Sequence, residues 1–550
     1  MIVLGSLSAQ TNLSPLSAAT AQTFGSFSRG LDAVNWNPAS LAYKYRIKIK
    51  TELQELPEPK AGYRIHILNT ASTVESDSLA NQIRDFLFKD SLFVNLHAIE
   101  EDSAYSIRIN DIINHTTAEF YRRLLNEHGY TSARIDTFVK SIEQIPQVEK
   151  YQYNKEKKFH LEFLNLGAML SNTSVDANWI NTYILNGGIL GELDDGIKND
   201  ITSVFPDDGW GLNPLINYKF GLRIKNFALQ LSADIYSELI IPSGLFDMTF
   251  FGNKISEPIN LSGRKNQFQV VLPVSISYGR QVNLPFLNNF VDRSYFGVSA
   301  KYLAGLAYFE SAFDTLSITP YDDQISIQAD IKTKYSLAGA YMEVDSDKPF
   351  NYTFNSDNVY KIPSGSGYAF DLGLIMNIND KLSSSIAITN LLGQITWSSK
   401  TVYEHKLKLN SQITIEELQE EPESSLNSGI EIDTNIAVTS FHTKYPGALI
   451  LGTEYSLDKF KLASNLKFGF SNELGSSTTP RLSLGAELRP LKWLSLLGGT
   501  SVGGYEGFQW GSGISMRLLF LQFAFSYSEY GGMLKSAKGF SLSASTSLFF

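Results

Sequence analysis

The last residues of the chain alternate strictly between apolar and hydroxyl side chains. Phe540, Leu542, Leu548 and Phe550 fall on one face, and the face between them carries serines. Side chains two positions apart on a β-strand point to the same side. An apolar face that ends on an aromatic residue is typical of the closing strand of a transmembrane β-barrel, where lipid-facing and lumen-facing residues alternate. We therefore predict a barrel in which these four residues form the C-terminal closing signal.

The same alternation recurs from residue 159 to residue 550. Short polar joins near residues 223–226, 379–381, 457–459, 489–492 and 517, with a looser one at 281–293, alternate with longer polar connections. Short turns on one side and long loops on the other distinguish outer-membrane barrels, and the count is about fourteen strands. Within one long connection, the alternation of Gln324–Val344 predicts a hairpin above the membrane. A soluble sandwich would not be expected to keep such wide apolar faces on so many strands.

A compact unit of a different kind occupies residues 61–138. Alternating runs predict four strands, and apolar stripes at helical spacing predict a helix after the first strand and another before the fourth. Thr116 and Glu119 are spaced as a capping box that opens the second helix, and Gly129 is placed to end it. The predicted order is βαββαβ. Residues 51–60 and 139–158, which are charged and Pro- or aromatic-rich, are predicted to be linkers.

This order and two strand segments, Tyr63-Arg-Ile-His-Ile67 and Tyr105-Ser-Ile-Arg-Ile109, resemble the SPOR domain, a peptidoglycan-binding module. The resemblance implies that glycan strands lie on the sheet face away from the helices. The candidate glycan-binding residues are Arg64, His66, Asn95, His97, Ser106 and Arg108. The family often carries Gln at the position of His66 and Gly at that of Asn110. A small domain with a solvated polar face and no ligand would account for the same residues.

The N-terminus divides into two parts. Residues 1–9 are predicted to be the remnant of a signal peptide, because a short apolar run precedes Ser8-Ala9. Residues 10–50 contain Asn37-Pro38-Ala39, which as a bare pattern is a turn signal. Together with Gly30 and Asp32, this motif resembles the segment before the first strand of the long-chain fatty-acid channel (FadL-like) superfamily. That resemblance implies a hatch inside the barrel lumen.

Three stretches of the barrel region also resemble uncharacterised outer-membrane barrels of Bacteroidota that are distantly related to those channels. They begin at Ser294, Gly367 and Pro480. The expected fold is thus mainly β: a fourteen-stranded antiparallel transmembrane barrel over residues 159–550, with a lumenal hatch and an inserted α+β domain.

Composition narrows the functional classes. A mean hydropathy of -0.10 without a long apolar run excludes a helical membrane protein, and 12% aromatic residues suit interface girdles. A net charge of -10 argues against nucleic acid as a partner, and the absence of cysteine excludes disulfides. Gly499-Thr-Ser-Val-Gly503 matches a nucleophile-elbow string, but Ser501 lies within an alternating strand of small residues that suit a crowded wall. We expect neither an enzyme nor a cofactor or metal site.

The main functional hypothesis is a barrel that the SPOR-like domain ties to peptidoglycan. The alternatives are a FadL-like channel for a hydrophobic or small solute and a partner barrel of a secretion system. An even strand number places Phe159 and Phe550 at the same, periplasmic end of the barrel, so the SPOR-like domain is expected in the periplasm. Expected partners are peptidoglycan, outer-membrane lipid and lipopolysaccharide, the barrel-assembly machinery and, for a channel, a hydrophobic solute.

Overall fold

The computed structural model divides the chain into two compact units, residues 1–46 with 153–550, and residues 47–152. It describes residues 13–550 except for single positions and short segments, which are 26, 45, 54–60, 71, 90–94, 102–103, 113, 140–146, 154–158, 188–192, 264, 288–289, 339–340, 345–351, 356–362, 399–401, 421–425, 427, 473, 475 and 505–506. The signal-peptide remnant predicted at residues 1–9 lies outside the described residues.

The larger unit contains, over its described residues, a closed antiparallel barrel of fourteen strands in sequence order. The strands are β1 (Phe159–Asn172), β2 (Trp210–Ile224), β3 (Phe227–Ile241), β4 (Asn266–Val282), β5 (Arg293–Pro320), β6 (Gly365–Asn377), β7 (Leu382–Trp397), β8 (Ala448–Ser456), β9 (Phe460–Gly469), β10 (Arg481–Leu491), β11 (Leu494–Gly503), β12 (Phe508–Leu518), β13 (Leu521–Tyr530) and β14 (Gly539–Phe549). The predicted fold class and strand number are confirmed.

Burial follows the alternation of the sequence. On β14, Phe540 and Leu542 are about half exposed on the outside, whereas Ser541 and Ser543 are buried on the inside. An apolar exterior and a polar interior characterise barrels of the outer-membrane type. Because β14 pairs with β1, the sheet closes on itself. Phe550 completes this closure, since its backbone exchanges two hydrogen bonds with Phe159, at 3.0 and 3.1 Å.

One strand continues beyond the barrel. The second half of β5 pairs with Gln324–Leu337, which pairs with Val402–Thr414, which pairs with Ile430–Ala437. The hairpin expected from the sequence is therefore part of a four-stranded sheet. Its outer two strands, Val402–Thr414 and Ile430–Ala437, lie between residues 398 and 446, where the sequence predicts one of the long polar connections. Charged side chains lie beside one another on this sheet, which gives its strands the composition of a polar connection. Lys332 donates to Asp314 and Lys408 donates to Glu431, and these hydrogen bonds raise the pKa of both lysines.

The segment before the barrel lies inside it. Its elements are the helix Pro15–Ala19, a 3-10 turn Gly30–Asp32, a helical turn Ala33–Trp36 and a 3-10 turn Pro38–Leu41. Nearly every described side chain between residues 13 and 43 is buried, and these residues contact wall strands around the barrel. Residues 13–44 are hereafter called the hatch.

The smaller unit has the βαββαβ order expected from the sequence. Its strands are Ala61–Thr70, Asn95–Glu101, Ala104–Ile112 and Arg134–Val139, and its helices are Thr73–Lys89 and His115–Glu127. The two middle strands of its antiparallel sheet are Ala104–Ile112 and Ala61–Thr70. Ile65, Ile67, Ile107 and Ile109 form its core together with residues of both helices.

Two local predictions for this unit are wrong. Asn114, rather than Thr116, caps the second helix, because its side chain accepts from the backbone of Thr117 at 2.8 Å; Glu119 instead accepts from Arg122. The strand Gln147–Tyr153 lies within the predicted linker 139–158. It pairs with the strand Arg46–Leu53, whose last three residues overlap the predicted linker 51–60. Their many charged residues concealed the alternation.

The remaining elements belong to connections of the barrel. In the part of the chain that the structure describes, no helix has the length and apolar character needed to cross a membrane. The remaining helices are Ala177–Trp179, Ile180–Leu185 (a π-helix), Asp195–Thr202, Ser243–Phe251, Pro285–Leu287, Ile415–Glu420 and Leu534–Ser536, and the remaining short strands are Ile259–Asn260, Tyr341–Val344, Tyr352–Asn355 and Phe441–Lys444.

Candidate functional site

The Asn-Pro-Ala motif of the hatch sits on a row of glycines. Gly279, Gly297 and Gly373 lie directly opposite one another on β4, β5 and β6. A Cβ atom at Gly297 would lie 2.2 Å from the backbone of Pro38 and Ala39, and one at Gly373 would lie 2.1 Å from the Asn37 side chain. Only glycine lets the hatch backbone approach the wall this closely.

Within the motif, Asn37 has two contacts. Its Oδ1 accepts from the backbone of Ala39 at 3.1 Å and so caps the turn Pro38–Leu41. Its amide nitrogen donates to the carbonyl of Leu374 on β6, at 3.5 Å. The motif is therefore both a turn and a contact point between hatch and wall.

A second glycine row receives the beginning of the hatch. Gly485, Gly499 and Gly511 are opposite one another on β10, β11 and β12. A Cβ at Gly499 would lie 2.5 Å from the backbone of Thr20, and one at Gly511 would lie 2.3 Å from the carbonyl oxygen of Ala18. The small residues around Ser501 thus form the crowded wall that the sequence predicted.

Polar side chains tie the middle of the hatch to other strands. Arg29 forms an ion pair with the buried Glu454 of β8 at 2.8 Å, and Asn35 donates to Gln230 of β3 at 2.6 Å. The guanidinium of Arg29 also lies 4.3 Å from the centre of the Tyr43 ring. The hatch is consequently held near its two ends by close backbone contacts with the wall, and in its middle by an ion pair and a hydrogen bond.

The barrel wall is interrupted at one level of β7. Residues 382–389 pair with β8 and residues 394–397 pair with Phe441–Lys444, but residues 390–393 lie between these two ladders. Asn390 and Leu392 have positive φ angles of 50° and 58°, and Leu392 is 76% exposed on the outside. Positive φ is costly for a leucine, so the surrounding structure must hold this break in place. Residues 390–393 with 445–447 are hereafter called the wall break.

A buried ionic cluster holds the wall break from inside. Lys301 contacts Asp371 at 2.8 Å and donates to the Asn390 side chain at 2.7 Å. The backbone of Asn390 donates to Asp371 at 2.6 Å, and its amide donates to the carbonyl of Pro446 at 2.6 Å. All four residues thus belong to one network, in which both sides of the break are fixed by hydrogen bonds.

A cavity of about 30 Å³ borders the break. Its lining includes Asn390 and Tyr445 from the break and Asn35 and Trp36 from the hatch. This volume holds water molecules but no larger solute. The hatch and the wall break therefore meet at a small polar cavity.

The lumen on the outer side of this cavity is apolar. Trp397, Tyr308, Leu303, Ile395 and Ala369 are buried in one inward-facing cluster. The rings of Tyr308 and Trp397 are 5.6 Å apart, and the indole nitrogen of Trp397 donates to Thr443 at 2.9 Å. Charged residues such as Lys301 lie at the inner edge of this cluster, so the lumen changes from apolar to charged at the level of the break.

The structure places all six predicted glycan-binding residues on one sheet of the smaller unit. His66 lies opposite Arg108 in the register of the two middle strands, and Arg108 donates to Ser106 at 2.8 Å. His66, Ser106 and Arg108 are 9%, 2% and 8% exposed, although the sequence analysis expected them on an open face. Arg64 is partly buried, and Asn95 and His97 lie on the neighbouring edge strand.

Sequence reasoning missed the site at the wall break. Asn390, Lys301 and Asp371 are distant in sequence, and no local motif links them. A signal was nevertheless present, because Lys301 and Asp371 are charged, whereas the neighbouring inward positions on their strands carry apolar or small residues. Among the described residues, no group of three or more histidine or acidic side chains is arranged to hold a metal ion.

Comparisons with known proteins give one family match. A family model described as "Family of unknown function (DUF5723)" matches residues 212–526, which is more than half of the chain. A search of curated proteins finds no match.

Solved structures of bacterial channels are also similar to the chain. The toluene transporter TbuX of Ralstonia pickettii has 10% identity and a TM-score of 0.37, covering 72% of this chain and 90% of its own. For the toluene transporter TodX of P. putida the values are 9%, 0.39, 72% and 90%. For a FadL homologue of Pseudomonas aeruginosa they are 12%, 0.37, 72% and 90%. Identities this low carry over no substrate.

Proposed function

This chain belongs to the family of unknown function DUF5723, and from that premise we propose that it is an outer-membrane channel for a small hydrophobic solute. The observation that carries the proposal is the wall break, which adjoins both the apolar outer lumen and the lipid-facing side of the barrel. A solute that enters the apolar cluster around Trp397 would reach the charged, hatch-filled inner lumen at this level. Burying an apolar solute among these charges is unfavourable, so it would leave sideways through the break.

The small volume of the cavity requires that the hatch or the break move during passage. Only about 30 Å³ is free between Trp36 and Asn390. The hatch is held by close contacts at its two ends, so the segment between them, which contains Trp36, is the part expected to shift.

Uptake of toluene by cells that have a lipopolysaccharide-coated outer membrane, with and without the protein, tests this proposal. Ala369→Phe would fill the apolar lumen next to the break and is expected to lower uptake severalfold. Ala300→Phe, on the lipid-facing side of the adjacent strand, is the matched control and should leave uptake unchanged. Cells with the wild-type protein that take up toluene no faster than cells without it would contradict the channel.

The role of the hatch can be tested separately because the chain contains no cysteine. Asn35→Cys with Gln230→Cys places two thiols where hatch and wall now share a hydrogen bond. Linking them with a bifunctional thiol reagent should suppress uptake, and the unlinked double variant serves as the control. Equal uptake by linked and unlinked protein would mean that passage does not need this part of the hatch to move.

Attachment to peptidoglycan through the smaller unit stays a prediction. Its support is the βαββαβ order with the two strand segments noted in the sequence, whereas the burial of His66 and Arg108 counts against an open glycan-binding face. We also propose a periplasmic location for this unit, since Lys44 and Phe159, where the barrel unit connects to it, lie at the short-turn end of the barrel. Sedimentation of the protein with sacculi stripped of stem peptides tests the binding, and no sedimentation at low salt would end that hypothesis.

A further inference from the structure

A groove of about 520 Å³ crosses the lipid-facing side of four neighbouring strands near their outer ends. It is separate from the lumen, because the inward-facing neighbours of its residues, such as Tyr236 and Gln269, are buried inside the barrel. Apart from one hydroxyl, its lining side chains are apolar: Pro214 and Ile216 on β2, Ile235, Ser237 and Leu239 on β3, Phe268 on β4 and Phe309 on β5.

The sizes of neighbouring side chains explain why the outer surface of the wall has a groove here. Ser237 lies directly opposite Phe268, which lies opposite Phe309, so a small side chain is followed by two aromatic ones across the sheet. On the other side of Ser237 the ladder between β2 and β3 is interrupted around Pro214, which has no N–H to donate. Ser237 is thus the floor of the groove, and the larger residues are its walls.

We propose that this groove binds one acyl chain of an outer-leaflet lipid. The groove opens where Ile216, Leu239 and Phe309 are each about two-fifths exposed on the membrane side. An apolar concavity that faces hydrocarbon gains most by packing against a flexible chain, because an unfilled gap loses dispersion contacts on one side. The single hydroxyl of Ser237 offers no basis for recognising a polar ligand.

The residues at the outer end of the groove suit the remainder of a lipid. The helix Ser243–Phe251 begins two residues after the end of β3 and includes Phe246, Phe250 and Phe251, of which Phe251 is 37% exposed. Exposed aromatic side chains are common at the boundary between acyl chains and headgroups. Lys265, which directly precedes β4, is 57% exposed in its ion pair with Glu310 and offers a cation at the outer end of this strand.

Native mass spectrometry of the full-length protein, extracted from its own membrane in mild detergent, tests the proposal. Wild-type protein is expected to retain one lipid molecule. Ser237→Trp, which fills the floor of the groove, should lower the lipid-bound fraction at least tenfold. Ala233→Trp is the matched control, since Ala233 lies on the same face of β3 outside the groove, and it should retain lipid as the wild type does.

Three results would overturn the proposal: no retained lipid on the wild type, equal retention by Ser237→Trp and Ala233→Trp, or equal loss in both. The heat-dependent shift of the folded barrel on gels checks that each variant is folded. If Ser237→Trp does not fold, Ser237→Leu decides, because it partly fills the same floor with a residue that lipid-facing strands carry elsewhere. Toluene uptake by these variants should stay at the wild-type level, which separates this site from the proposed channel.

Discussion

At the scale of single residues, the barrel interior is shaped by where glycine is required. Gly498 and Gly499 are neighbours on β11, yet only Gly499 faces the hatch. A Cβ at Gly499 would lie 2.5 Å from Thr20, whereas the nearest atom to a Cβ at Gly498 is 3.8 Å away. Glycine at the inner position is therefore explained by close backbone approach, and glycine at the outer one is not explained by any contact.

Gly499→Val is expected to destabilise the protein by about 1–3 kcal/mol, the usual cost of overpacking, because the new side chain displaces Thr20. Gly498→Val should change stability by less than about 1 kcal/mol, since its side chain points into open space and valine suits a strand. Unfolding in urea, followed by tryptophan fluorescence in detergent, measures both. A variant pair with equal stabilities would refute close packing of the hatch on this row.

A second residue-scale feature is the buried pair of Lys301 and Asp371. Both side chains are less than 5% exposed, and both hold Asn390 in its positive-φ conformation. Removing one member of a buried pair leaves the other charge without compensation, which is more costly than removing both.

Lys301→Met is accordingly expected to lower the free energy of unfolding by about 3–5 kcal/mol. Lys301→Met combined with Asp371→Leu should recover a substantial part of that loss, because no isolated carboxylate remains. A double-mutant cycle by urea unfolding measures the coupling. Strictly additive effects of the two substitutions would show that the pair does not stabilise the wall break.

At the scale of elements, the barrel strands form the wall by themselves, and the hatch closes the lumen inside that wall. Each barrel strand pairs with its sequence neighbours, and β14 pairs with β1, so none of the described hatch residues supplies a strand to the wall. The hatch is held by glycine rows and a few polar contacts such as that of Arg29 with Glu454. Wall formation and lumen closure are therefore separate properties of different segments.

Deletion of residues 13–44 is expected to leave a folded barrel with an open lumen. Planar-bilayer recordings should then show a large steady conductance, whereas the wild type should be nearly silent, because the hatch now fills the lumen. As a control, the variant Arg29→Met should weaken one anchor and give only brief openings. A deletion variant that is folded but does not conduct would mean that wall side chains alone close the lumen.

At the scale of the whole molecule, the chain has two cores of different kinds. The smaller unit buries isoleucines such as Ile107 between its sheet and helices. The barrel unit instead exposes apolar side chains outside and buries serine, asparagine and glutamine inside. The smaller unit has the organisation of a water-soluble domain, which folds by hydrophobic burial, while the barrel unit requires a membrane.

The isolated segment 47–152 is therefore expected to fold in water and to unfold cooperatively. Within it, Ile107→Ala should cost about 2–5 kcal/mol, because it removes a fully buried side chain. Phe120→Ala is the control and should cost much less, since Phe120 is 53% exposed. Urea unfolding followed by circular dichroism measures both, and a segment without a cooperative transition would contradict independent folding.

Alternation along the chain was sufficient to predict the barrel. Side chains at period two determine which face of a strand meets lipid, so the serine and phenylalanine positions of residues 539–550 indicated the architecture. Short polar joins gave the strand number for the same reason. The strand Val402–Thr414 was not predicted because its exposed positions carry charged residues such as Lys406 and Lys408, although Leu407 and Leu409 between and beside them are buried. In Arg46–Leu53 charged residues likewise hid the pairing.

The candidate site depended on the tertiary structure. Lys301, Asp371 and Asn390 come from three strands, and only the register of those strands brings them to one level of the wall. The row of Gly279, Gly297 and Gly373 is likewise meaningful only once the strands are aligned and the hatch lies on them. The sequence by itself thus determined which residues face lipid and which face the lumen, since this is a local property of the backbone. The tertiary structure alone decided which lumenal residues meet, because such contacts arise from strand register and from how the hatch fills the barrel.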